Sequence, residues 1–136
     1  MKALLTIIIS VQLLLATSWA LAHIPDTQHS KGVSYITGGV GEGESTAILA
    51  EAKQWPLLLE LSQIQNGRCV WIFGASIKIM GSTKQVIFDA QAERPYMLVN
   101  LVPGDYTLEA SYESVVQKRS ISIKSDSSQT LSVFWK

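Results

Sequence analysis

The chain has 136 residues, 47% of them hydrophobic, with 11 basic and 11 acidic side chains and one cysteine. A balanced charge leaves no electrostatic footprint for nucleic acid or for an anionic membrane surface. A single cysteine excludes an internal disulfide, so stability has to come from burial.

Residues 1–22 combine Met1-Lys2, an apolar stretch from Ala3 to Ala16, and Ala20-Leu21-Ala22 just before His23. A positive start, an apolar middle and a small-x-small site describe a cleavable secretory signal. Ser10 and Gln12 interrupt a run already shorter than the roughly 20 residues that cross a bilayer. The expected product is therefore exported, to the periplasm or the medium, without a stable membrane anchor. About 114 residues would remain, enough for one domain with a real core.

Residues 23–43 read as a flexible N-terminal segment, in which 23–31 form a loose polar tail. A short alternating piece at 33–36 leads into the glycine-rich stretch 38–43. No Lys-Ser or Lys-Thr follows those glycines and no strand-helix-strand pattern surrounds them, so they read as a turn and not as a phosphate loop. Residues 44–56 are predicted to hold the one short helix. Glu44 at its start and Lys53 near its end suit the helix dipole, Ile48, Leu49 and Ala52 share one face, and Trp55-Pro56 stops it.

From residue 57 to residue 136 the pattern changes to short β-rich runs at 57–64, 70–80, 85–90, 96–101, 106–112, 115–123 and 130–135. Turn chemistry separates them, including Gln65-Asn66-Gly67 and Val102-Pro103-Gly104. Seven strands so spaced predict a mainly β fold, a seven-stranded antiparallel Greek-key sandwich of the immunoglobulin-like kind. Strict alternation in several runs, such as Ile77 and Ile79 around Lys78 or Leu131 and Val133 around Ser132, marks the inward face. Cys69 alternates with Trp71 and Phe73, which reads as a buried, inert thiol. Val70, Ile72, Met97 and Val99 are apolar where polar residues are expected. They make a candidate interaction surface, covered either by the 44–56 helix or by a partner chain.

Pro103 pre-sets φ and Gly104 permits a positive φ, which together favour a tight reversal. Tyr106 is then expected to enter the core and to bond an upstream backbone group through its hydroxyl, as a tyrosine corner does. The role of these three residues is structural.

Gly74-Ala75-Ser76-Ile77-Lys78-Ile79, followed by Tyr96 to Val99 and by Leu101-Val102-Pro103-Gly104-Asp105-Tyr106, resembles the carboxypeptidase regulatory-like domain, a transthyretin-like sandwich, over about residues 57–135. The leading segments also look like those of small exported bacterial proteins that carry this domain. The resemblance implies a sandwich without catalytic machinery. One departure is Arg94-Pro95, where the family often has Asp-Gly. Two relatives are set aside. The runs 57–64 and 130–135 lack the Lys and Asn of an isopeptide-forming adhesin module, and the C-terminal Val133-Phe134-Trp135-Lys136 is not the Tyr-Arg-Gly-Ser ending of the transthyretin-related hydrolases.

Histidine is the decisive scarcity for chemistry. His23 and His29 are the only two, both in the predicted tail, so no nucleophile–histidine pair can be built within the sandwich. Cleavage after Ala22 would free His23 as an N-terminal copper chelator, yet its tail setting offers poor preorganisation. No spacing pairs carboxylates for acid–base work. The expected protein has no cofactor, no metal and no catalytic residue. It is a non-catalytic exported binding or assembly module whose partner is another envelope or extracellular protein, or a second copy. The alternative is a carbohydrate-binding module that stacks sugars on Trp71, Tyr96, Tyr112 and Trp135.

Overall fold

A computed structural model describes residues 23–136. The predicted signal segment, residues 1–22, lies outside the described residues. The protein is mainly β, with one short helix and two sheets that do not close into a barrel.

Ten strands form among the described residues, where seven were expected. The first two come from the segment read as flexible. β1 (Gln28–Ser30) and β2 (Val33–Gly38) pair across the Lys31-Gly32 turn, and β2 goes on to pair with β7 (Tyr96–Val99). The third addition arises because the run 70–80 breaks at Ile72 to Gly74. It becomes β4 (Arg68–Trp71) in one sheet and β5 (Ala75–Met80) in the other. Single-strand periodicity carries through such a sheet switch, so the break was invisible in the alternation.

The six-stranded sheet has the order β1-β2-β7-β3-β10, where β3 is Leu57–Gln65 and β10 is Gln129–Trp135. β7 and β4 lie end to end along the same side of β3, with Leu57 to Glu60 facing β7 and Ser62 to Gln65 facing β4. β10 runs parallel to β3 and not antiparallel as expected. The four-stranded sheet has the order β6-β5-β8-β9, with β6 Val86–Ala92, β8 Gly104–Tyr112 and β9 Val115–Ile123.

Between the sheets lies a core that includes Leu57, Leu59, Leu61, Ile77, Ile79, Phe88, Met97, Val99, Leu108 and Val133. α1 (Gly41–Glu51) and the 3₁₀ turn Ala52–Gln54 start three residues earlier than predicted and cover part of the outer face of the six-stranded sheet. A second small core forms there from Ile36, Ile48, Ala52, Leu58, Tyr96 and Leu98. Leu57, Leu58 and Leu59 are consecutive and all buried, as a strand covered on both faces requires.

A single carboxylate pins α1 to the sheet. Glu44 accepts hydrogen bonds from the backbone N–H of Gly39 at 2.8 Å and of Val40 at 3.1 Å, and pairs with the Arg94 guanidinium at 2.8 Å. Burial pushes the Glu44 carboxyl up, but the donors of Val40, Arg94 and Gly39 outweigh it and hold it below 4.5. Gly39 itself, at φ +108°, lies against the Tyr96 ring, where an added Cβ would come within 2.5 Å of Tyr96 Cδ2.

Candidate functional site

The surplus apolar face predicted from sequence is inverted, since most of its residues point into the core. Met97, Val99 and Ile72 are 0–3% exposed and belong to the main core, so they form no interaction surface. Their neighbours in alternation, Tyr96 and Leu98, face α1 instead. Of the four proposed surface residues only Val70 stays open, at 39% exposure. The same inversion corrects Cys69. Its alternation with Trp71 and Phe73 holds, but that set points away from the core, and the thiol is exposed.

Every residue of β4 is exposed, so the β3–β4 hairpin overhangs the sandwich as an arm. Its turn is Asn66-Gly67, with φ of +51° and +75°. Positive φ at both central positions is the signature of a two-residue type I′ hairpin, which fixes the register. Across the arm Ser62 stands opposite Trp71 on one side and Phe134 on the other, while Ile64 stands opposite Cys69. A small hydroxyl between two aromatic side chains leaves a depression of about 360 Å³, lined by Glu60, Ser62, Ile64, Cys69, Trp71 and Phe134. Trp71 and Phe134 are 46% and 43% exposed, and Ser62 is 8% exposed at the floor. At one end of the depression the Trp71 ring meets Tyr96 at 5.2 Å between centroids. Burial, and secondly the Glu60 carboxylate opposite Tyr96, raise that phenol above its ordinary range.

The expected sugar platforms do not come together. Trp135 and Tyr96 are buried, Tyr112 is half-buried and packs tilted against Trp135, and Trp71 alone faces solvent. Phe134, which the sequence reading passed over, is the aromatic that shares its face. Its period-two position opposite Val133 was the available signal.

Pro103 and Gly104 carry the chain from β7 in one sheet to β8 in the other, and so make a crossing between layers and not a hairpin. The Tyr106 hydroxyl donates to the Val102 carbonyl at 2.5 Å, as expected of a tyrosine corner, but its ring is half-buried against the core. A larger depression, about 640 Å³, lies at this end of the molecule between Lys53, Trp55, Asn100, Lys124 and Asp126. It is lined mainly by exposed loop residues, and the Ser128 hydroxyl at its edge is already bonded to the Ala52 carbonyl.

His29 sits on β1 and not in a loose tail, and both His23 and His29 are exposed. Among the described residues no group of three or more His, Cys, Asp or Glu side chains is placed to hold a metal ion, and no helix is long and apolar enough to cross a membrane.

No protein-family model matches the chain, and no curated protein has a similar sequence.

Proposed function

We propose that the protein is a non-catalytic, exported binding or assembly module, and that it works through the β3–β4 arm and the adjoining face of β10. The observation that carries this reading is the open depression of Ile64, Trp71 and Phe134 beside a half of the same sheet face that the chain seals with its own helix. Large apolar side chains clustered on an overhanging strand pair are the mark of a surface that meets another chain. The scarcity of histidine supports the absence of catalysis. The transthyretin-like, carboxypeptidase regulatory-like placement rests on the Gly74 to Ile79 and Leu101 to Tyr106 motifs, which here form a sheet entry and an inter-layer crossing with a tyrosine hydroxyl bonded upstream.

The test is affinity capture from envelope and culture-medium fractions with the purified protein and with Trp71→Ser and Phe134→Ser. Stoichiometric binding should fall at least about tenfold in both variants while Tm stays within about 2 °C. Undiminished capture by both variants would move the site elsewhere.

A further inference from the structure

Sheet edges are templates for pairing, and folded proteins blunt them. Here most edges are blunted by side chains. On β6 the Asp89 backbone N–H and C=O are both taken by the Ser30 hydroxyl, at 3.1 and 2.8 Å. β9 and β10 face each other, with the Trp135 indole N–H donating to the Val115 carbonyl at 2.9 Å and the Gln129 amide donating to the Ser122 carbonyl. Among the described residues β4 has no such cover: it pairs with β3 alone, and all four of its residues are exposed.

The register shows which groups are unpaired. In a two-residue hairpin the residues flanking the turn, Gln65 and Arg68, form a hydrogen-bonded pair, and pairs then alternate. Gln63 with Val70 is bonded; Ile64 with Cys69 and Ser62 with Trp71 are not. The bond from the Ile72 N–H to the Leu61 carbonyl at 3.3 Å continues the same alternation. The backbone N–H and C=O of Cys69 and Trp71 therefore point away from β3, to the free edge.

We propose, on the basis of the assembly reading above, that two copies pair β4 to β4 antiparallel about a two-fold axis through Val70. This register sets Cys69 of each copy opposite Trp71 of the other, so every outward group meets its complement in four hydrogen bonds. It is isologous, as a closed dimer requires. It also joins the two Trp71–Cys69 faces into one apolar surface. The area is modest. With aromatic side chains presenting roughly 150–250 Å² each, the half-exposed Trp71 and its neighbours cover roughly 400 Å² per copy, about half of a standard interface. The dimer is thus weak and concentration-dependent, forming between about 10 μM and about 1 mM.

The axis makes a sharp test. Val70 and its symmetry mate form a non-hydrogen-bonded pair with Cα atoms about 4.5 Å apart, within disulfide reach. The two Cys69 residues are offset along the strands beyond it. Under mild oxidation the double variant Cys69→Ser/Val70→Cys should cross-link at least about tenfold faster than the native protein or a Cys69→Ser/Val102→Cys control. Sedimentation should show mass rising with concentration, and Trp71→Lys should abolish the rise without lowering Tm. A protein monomeric to about 1 mM, or cross-linking no faster at Val70→Cys than at Val102→Cys, overturns the pairing. If the protein is monomeric yet the Trp71→Ser and Phe134→Ser variants lose a captured partner, self-pairing is wrong and the arm still binds another chain. If capture is also indifferent to those variants, both readings fail.

Discussion

On the outer face of the six-stranded sheet, Ile36, Leu58, Tyr96 and Leu98 are sealed beneath α1, whereas Ile64, Trp71 and Phe134 stand open one or two rungs away. Both halves are apolar and belong to the same layer. The difference is that β2 leads straight into a helix held over the first half by Glu44 and Arg94, while the second half extends past the helix on a hairpin arm. Covered apolar surface on this face serves stability, and the uncovered part stays open to solvent.

The contrast is sharpest for a deletion in the covered half. Leu98→Ala empties a fully buried site and should cost about 2–5 kcal/mol, read by denaturant midpoint. The comparable deletion in the open half, Ile64→Ala at 41% exposure, should cost under about 1 kcal/mol. Equal losses would mean that the arm is as much core as the helix seat.

The clamp on the covered half should show in the pH dependence. The folded Glu44 carboxyl is held below 4.5, so its contribution is present above that value and is lost as pH falls through the folded pKa. Glu44→Gln should be less stable at neutral pH by about 1 kcal/mol, and the gap should close in acid. A gap constant down to the lowest pH would show that the charge is not the pin.

The smallest effect is expected at the layer crossing, away from both halves. Tyr106→Phe removes a hydrogen bond to Val102 from a half-buried ring and should cost about 0.5–1 kcal/mol in thermal unfolding. No change in Tm would make the tyrosine a packing residue only.

The mainly β class was readable in the chain because period-two alternation and turn residues are local properties. The runs at 57–64, 115–123 and 130–135 matched their strands within a residue, and Asn66-Gly67 announced the arm's turn. The site was legible only in part. Alternation identifies two sets of side chains per strand but not which set faces the core, so Cys69, Met97 and Val99 were assigned to the wrong sides.

What the sequence determined by itself is thus the β-rich class, the lack of a disulfide and the scarcity of histidine, all of which follow from composition and near-neighbour pattern. The tertiary structure alone decided the parallel pairing of β3 with β10, the switch of sheets at Gly74, and the meeting of Trp71 with Phe134 across Ser62. These depend on contacts between residues as much as 72 positions apart, such as Ser62 with Phe134. Which strand lies beside which is settled by the burial of both sheets together, and no single strand carries that information.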